Sequence, residues 1–197
     1  PLRILNLDEK QKKLSQFKVR SGQKAKNSIY PPLQDLNRTI VNTFPGMRIL
    51  DVGCGTGLNF PRLPSHIVGV DPSAGLLKIA RRRARRLSMG TGQYLPFPDA
   101  TFDRVLSTYV LTTVPDWPRA LAEMARVLRP GGRLVLTDDR LPPGWFLGPG
   151  PMFRKIFTEG WTDIHREIVE EMKQYCSDVE LRFFHFGLIY LVRGIRK

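Results

Sequence analysis

An apolar strand that ends on an acid and runs straight into three alternating glycines leaves a chain few folds to choose from. Here that stretch is Ile49-Leu50-Asp51-Val52-Gly53-Cys54-Gly55-Thr56-Gly57. Glycines at every second position let the backbone turn tightly. They also let a ligand lie directly on the main chain, where any Cβ would obstruct it. A second apolar strand, Ile67-Val68-Gly69-Val70, follows and ends at Asp71. A carboxylate about twenty residues after such a loop, at the end of the neighbouring strand, is placed to accept hydrogen bonds from both ribose hydroxyls of a nucleoside. The pattern predicts a nucleoside-containing cofactor on an α/β sheet.

Differences from the dinucleotide pattern narrow the cofactor. A nicotinamide enzyme has G-x-G-x-x-G, whose third glycine permits close helix–strand packing beneath a pyrophosphate. The spacing here is G-x-G-x-G, preceded by Asp51. A carboxylate beside the loop is unfavourable near a dianionic pyrophosphate but suits an ammonium or sulfonium cation. S-adenosylmethionine carries both cations and no phosphate. On the glycine motif alone, a tight strand-to-helix turn in some other α/β protein stays open as the structural alternative.

Two further motifs follow. Leu95-Pro96-Phe97-Pro98-Asp99-Ala100-Thr101-Phe102-Asp103 leads into the strand Arg104-Val105-Leu106-Ser107, and later comes Val127-Leu128-Arg129-Pro130-Gly131-Gly132-Arg133-Leu134-Val135-Leu136. With these three ordered motifs, residues 46–140 resemble the class I S-adenosylmethionine-dependent methyltransferases. The resemblance is to the small-molecule branch that methylates quinones, sterols and phospholipids. It implies a Rossmann-like, doubly wound, mostly parallel seven-stranded sheet with a C-terminal antiparallel hairpin. It also implies that Asp51 and the loop residues Gly53, Cys54, Gly55 and Gly57 hold the methionine part of S-adenosylmethionine, the product being S-adenosylhomocysteine. Asp71 and Pro72 would lie at the ribose and Leu76 against adenine, while Thr108 and Tyr109 would line the methyl-transfer end. The family's adenine-binding acid falls on Thr91 here, with Gln93 close by. A threonine hydroxyl accepts a hydrogen bond more weakly than a carboxylate does.

The 197 residues, 42% of them hydrophobic, predict one domain with a proper core. Within it, residues 1–45 read as a basic helical cap and 46–140 as the cofactor-binding core. Residues 141–197 read as a loop, a helix and the hairpin. The longest apolar run, Phe183 to Val192, is too short to span a membrane and contains His185. No signal peptide is expected, because the N-terminal region is charged throughout. Cys54 and Cys176 do not read as a disulfide pair, which fits a reducing cytoplasm. Two cysteines and three scattered histidines offer no metal-ligand spacing.

The formal net charge is +13. Residues 1–27 carry eight basic side chains against Asp8 and Glu9, and residues 81–86 read Arg-Arg-Arg-Ala-Arg-Arg. Such an excess favours anionic partners, either nucleic acid or acidic lipid headgroups, although an arginine-rich outer helix face is also ordinary.

Along the chain, residues 8–27 read as a basic helix with a thin apolar stripe, ended by Tyr30-Pro31-Pro32. A second short helix is expected at about 33–43. Strands are expected at 48–52, 67–70, 103–107 and 133–137, and the third strand is short and polar. Ser73 is an N-cap for a helix with Leu76, Leu77, Ala80, Ala84 and Leu87 on its buried stripe. Asp116 caps a helix over 117–128 that Pro130-Gly131-Gly132 stops. The loop 141–153 is rich in breakers and large apolar side chains. It has three readings: packing on the core, closing over substrate, or touching a membrane. A helix over 162–175 follows, then the runs Val179–His185 and Leu188–Arg193 as the hairpin.

Methyl transfer from a sulfonium is an in-line displacement with a neutral leaving group, so orientation and desolvation matter more than acid–base machinery. No catalytic residue stands out, and a base is needed only where the nucleophile carries a proton. Tyr30, Tyr109 and His185 are the candidates to face substrate, although a histidine among Phe183, Phe184 and Phe186 also reads as a hydrogen-bonded structural residue. Three functions compete. The first is a methyltransferase for a lipid or another apolar small molecule. Tyr109-Val110-Leu111-Thr112-Thr113-Val114-Pro115-Asp116 and the terminal His-Phe-Gly-Leu-Ile are similar to bacterial phospholipid N-methyltransferases, which implies a phospholipid amine and a peripheral position at an anionic membrane. The N-terminal helix then reads either as a membrane attachment or as a lid over the cofactor. The second is an RNA or protein methyltransferase, carried by charge alone and lacking an Asn-Pro-Pro-Tyr-like signature or an appended RNA-binding module. The third is a catalytically silent cofactor-binding partner protein, against which the intact glycine loop and Asp71 argue.

Overall fold

The computed structural model describes residues 41–63, 66–84, 86–139, 165–184 and 187–197. Strand β1, Ile49–Val52, is buried along its whole length, as the near-continuous apolar run of a parallel strand covered on both faces requires. It pairs in parallel with β2, Ile67–Asp71, on one side and β4, Phe102–Thr108, on the other. β3, Leu87–Met89, adds to the outer edge of β2, and β5, Leu128–Asp139, adds to β4. β7, Ile189–Arg196, is antiparallel to β5 and to β6, Cys176–Phe184. The sheet order is β3-β2-β1-β4-β5-β7-β6. The sequence expectation of a mostly parallel seven-stranded sheet closed by an antiparallel pair holds.

Alternate residues of the central strands feed two cores. Leu50, Val52, Val105, Leu134 and Leu136 pack against helix α2, Trp117–Val127, through Leu121, Met124 and Val127, and against helix α3, His165–Tyr175, through Ile168 and Met172. On the other face Ile49, Ile67 and Leu106 meet Leu77 and Ala80 of helix α1, Ala74–Ala80, together with Phe60 and Leu63. Val41, Val135 and Leu191 form a third cluster.

Ser73 caps α1 by accepting from Leu76 N, and Asp116 caps α2 by accepting from Arg119 N, both as expected. Several boundaries moved. α1 stops at Ala80, so Ala84 and Leu87 reach the same core from the following turn and from β3 instead of along one helical stripe. Continuing the helix would have stacked arginines three and four residues apart with no acid between them, a destabilising arrangement. α2 ends at Val127 because Leu128 is already paired with Phe102, so β5 begins well before the expected 133. β6 begins before the expected 179 and β7 runs past the expected 193, with a register shift between Ser177 and Glu180. The N-terminal helix 8–27, most of the expected helix at 33–43 and the loop 141–153 lie outside the described residues.

Of the three sequence motifs, two do structural work away from the carboxyl ends of the strands. Arg126 of α2 donates to the carbonyls of Leu95 and Phe97 and pairs with Asp99 and Glu123, while Glu123 accepts from Leu95 N. The Leu95–Asp99 run is thereby fastened along α2, and Phe97 meets Phe102 edge-on at 5.1 Å. In the third motif, a Cβ on Gly132 would lie 2.6 Å from Leu128 Cδ1 and 2.7 Å from the Arg129 carbonyl. Glycine is there for packing.

Candidate functional site: the carboxyl edge of the sheet

Open α/β sheets bind ligands outside the carboxyl ends of their strands, and the first motif lies there. After β1, Gly53 N and Cys54 N both donate to the Val70 carbonyl, at 2.8 and 3.0 Å, which folds the loop over β2. Gly55 N then donates to Asp71 Oδ2 at 2.9 Å, and Ser73 N to Asp71 Oδ1 at 2.9 Å. Asp71 is 3% exposed. Its carboxylate ties the glycine loop to the start of α1, and each oxygen retains a second lone-pair direction for a ligand hydroxyl.

The three glycines differ in what they allow. All have positive φ: +70° at Gly53, +55° at Gly55 and +75° at Gly57. A Cβ on Gly53 would clash with Val110 Cγ2, and one on Gly57 would come within 2.6 Å of the Phe60 ring. A Cβ on Gly55 would meet nothing within 4 Å among the described residues. Two glycines make room for the core, and the middle one faces open space, the cradle a ligand lying on the main chain needs.

Asp51, 0% exposed, is joined to the end of β4 through a residue the sequence reading missed. Asn59 Nδ2 donates to Asp51 Oδ2 at 3.1 Å and to Thr108 Oγ1 at 3.2 Å. Tyr109 follows with φ +59°, a left-handed conformation that costs an aromatic residue about 1–3 kcal/mol. It is held there by donation from its N to the Thr137 carbonyl at 2.7 Å. Strain of this kind collects at ligand sites.

β5 brings two more acids that the sequence reading passed over. Asp138 accepts from Thr112 N at 3.1 Å, from Thr112 Oγ1 at 2.7 Å and from Asp139 N at 2.9 Å. Burial pushes its carboxyl above the usual carboxylate range, and the hydrogen bonds from Thr112 and Asp139 oppose that shift. Asp139 is pushed up to about 7, first by burial and then by Asp138 beside it. A chain of net charge +13 thus gathers Asp51, Asp71, Asp138 and Asp139 at the carboxyl ends of three strands. Such an edge attracts a cation.

The remaining expected residues are placed less tightly. Cys54 and Leu76 are buried and Pro72 is exposed. Thr91 is exposed just past β3, bridged to Tyr94, and the Gln93 carbonyl accepts from Arg119 Nε at 3.2 Å. No hydrogen bond among the described residues joins these two to the glycine loop. Tyr30 and His185 lie outside the described residues. Asn59 escaped notice because an asparagine after a glycine turn looks like loop chemistry. Asp138 and Asp139 carried a usable signal, since paired acids are out of place at the end of a buried strand.

Residues 50–136 match the family model described as "Methyltransferase domain". Over 155 residues the chain is 34% identical to a demethylmenaquinone methyltransferase of Corynebacterium kroppenstedtii, covering 77% of this chain and 61% of that protein. Another, from Symbiobacterium thermophilum, is 38% identical over 117 residues, covering 52% and 47%. The chain therefore spans about half to three fifths of the length of the curated relatives it matches. Among solved structures it is similar to an S-adenosylmethionine-dependent methyltransferase of Thermotoga maritima, with a TM-score of 0.65 and 26% identity, covering 84% of this chain and 88% of that one. Phosphoethanolamine N-methyltransferase 2 of Haemonchus contortus, solved with S-adenosyl-L-methionine, shares the fold with a TM-score of 0.67 at 15% identity, covering 83% and 52%. Residues 50–136 thus carry a methyltransferase domain, and the fold around them is similar to that of S-adenosylmethionine-dependent methyltransferases.

Proposed function

We propose that the chain transfers a methyl group from S-adenosylmethionine to an apolar, membrane-soluble small molecule of the quinol class. The observation that carries the cofactor half is the open cradle at Gly55 beside Asp71, on an edge lined with carboxylates. S-adenosylmethionine supplies a methyl group on a sulfonium, which leaves as a neutral thioether. The Gly53–Gly57 backbone and Asp51 hold its methionine end, and the cation-attracting edge favours the charged donor over the neutral product. Asp71 takes the ribose hydroxyls, Pro72 and Leu76 flank the nucleoside, and Thr91 and Gln93 lie toward adenine. Thr108, positioned by Asn59, and the strained Tyr109 line the end where the acceptor approaches.

The acceptor class is supported by the relatives, which are named for a demethylated menaquinone. A quinol ring attacks most readily once its hydroxyl has lost a proton. Asp139, with its carboxyl at about 7 on the same edge, is suited to receive that proton near neutrality. The test is calorimetry with S-adenosylmethionine, S-adenosylhomocysteine and NAD, followed by transfer of labelled methyl in mixed micelles of a demethylated quinol or phosphatidylethanolamine. Binding of both adenosyl ligands, none of NAD, and label on the quinol is the expected result. Label on phosphatidylethanolamine alone would move the acceptor to the phospholipid amine.

A further inference from the structure

Between Pro72 and Pro98 the sequence contains no acidic residue and six basic ones: Lys78, Arg81, Arg82, Arg83, Arg85 and Arg86. The structure sets residues 74–84 and 86–89 of this span at the β3 edge of the sheet, where α1 packs beside β2 and β3. Lys78, Arg81, Arg82, Arg83 and Arg86 are exposed. Arg81, Arg82 and Arg86 have no carboxylate partner among the described residues. Arg83 differs: its Nη1 donates to the Thr56 carbonyl at 2.9 Å, so the basic surface is continuous with the glycine loop.

Two ordinary explanations fall short. A helix C-terminus is stabilised by one or two cations in its last turn, and Lys78 already occupies that position in α1. Charge that protects a sheet edge from pairing sits on the edge strand, yet Leu87-Ser88-Met89 carries none. A run of like charges without acids repels itself unless an anion lies against it.

We infer that this edge is a docking surface for an anionic lipid headgroup layer. The arginines meet phosphates, and two apolar side chains in the same span, Ile79 at 39% and Met89 at 67% exposure, enter the acyl boundary. Methyl-bearing side chains suit lipid. Single-stranded nucleic acid is held by free aromatic faces, and the exposed aromatic of this span, Tyr94, is covered by the Arg119 guanidinium at 4.1 Å from its ring centre. The choice of lipid rests on the proposed membrane-soluble acceptor, because a surface joined to the glycine loop brings the cofactor edge to where such an acceptor resides.

The experiment uses the full chain in co-sedimentation with phosphatidylglycerol–phosphatidylcholine vesicles, and with phosphatidylcholine alone, across a salt series. Each basic residue near an anionic surface is worth about fivefold in partition. The variant R81Q/R82Q/R86Q therefore falls by roughly tenfold to a hundredfold on the anionic vesicles at low salt, with a flatter salt dependence. Ile79→Gln with Met89→Gln lowers binding by about threefold to tenfold with the salt slope unchanged. S-adenosylhomocysteine affinity stays the same in both variants, which separates loss of the surface from loss of the fold. Equal partition of the arginine variant and the parent overturns the inference. So does a loss confined to retention of single-stranded RNA. A parent chain that sediments with anionic vesicles yet binds no adenosyl ligand refutes the proposed function and leaves the surface standing.

Discussion

The two ends of the parallel strands are built on opposite principles. At the carboxyl edge Asp71 and Asp138 are held by N–H and hydroxyl donors, with no cation beside them among the described residues. The backbone there takes positive φ at Gly53, Gly55, Gly57 and Tyr109. At the amino edge charges are matched. Asp103 pairs with Arg129 at 2.6 Å and accepts from Arg48 N at 2.6 Å. Arg104, 8% exposed, gives its donors to the carbonyls of Val41, Asn42 and Asp103. Burial and the neighbouring Arg133 pull its pKa down, but those carbonyls satisfy it. One edge spends its polar groups on stability, and the other keeps strain and negative charge for a ligand. The difference is testable, because substitutions at the two edges should separate binding from stability.

The largest separation is expected at Asp71. Two charge-assisted hydrogen bonds to ribose hydroxyls amount to about 1.5–3 kcal/mol each before desolvation. Asp71→Ala should weaken S-adenosylhomocysteine binding by roughly tenfold to a thousandfold in calorimetry. The orphaned Gly55 and Ser73 N–H groups should cost about 1–2 kcal/mol in urea melts. An unchanged dissociation constant would remove Asp71 from the site.

Two glycines two positions apart break the comparison more finely. Gly53→Ala places a Cβ against Val110 at positive φ and should cost about 2–4 kcal/mol of stability. Gly55→Ala bears the φ strain alone, about 1 kcal/mol, yet fills the cradle and should weaken cofactor binding by at least about tenfold. Equal losses of stability would erase the distinction between a packing glycine and a ligand glycine. At the other edge Arg126→Met gives up Glu123, Asp99 and two carbonyls. With its side chain 32% exposed, about 1–2 kcal/mol is the expected loss, with cofactor affinity unchanged.

How much of this was legible in the sequence follows from range. The glycine loop, Asp71, the Ser73 and Asp116 caps and the alternation of strands and helices are written in contiguous residues or in apolar periodicity, while the seven-stranded topology came with the family resemblance. What escaped depends on contacts across the fold. Asn59 gains meaning only where Thr108, 49 positions away, arrives beside Asp51. The Leu95–Asp99 motif enters the sequence reading as a mark of resemblance, and only Arg126 shows it to be a fastening. The helix end at Val127 was set by the pairing of Leu128 with Phe102, which local propensity does not see.

The smallest effect sharpens the comparison within the carboxyl edge itself. The folded protein holds the Asp139 proton up to about pH 7, whereas an unfolded chain releases it near pH 4. A carboxyl raised by folding favours the fold fully below its unfolded pKa. That advantage is lost as pH climbs through the folded value, because ionisation is then more costly in the native state. Asp139→Asn removes the loss. The variant should match or trail the parent at pH 4 and gain on it steadily between pH 4 and 7. It should end on the order of 1 kcal/mol ahead at pH 8 once solvent screening of this half-buried group is allowed for. Thermal melts at four pH values would read this as a few degrees in Tm. A difference that stays flat with pH would mean that Asp139 ionises as a solvated carboxylate does. It would then be no candidate to take the acceptor's proton near neutrality, and the acidic edge would act through Asp51, Asp71 and Asp138 alone.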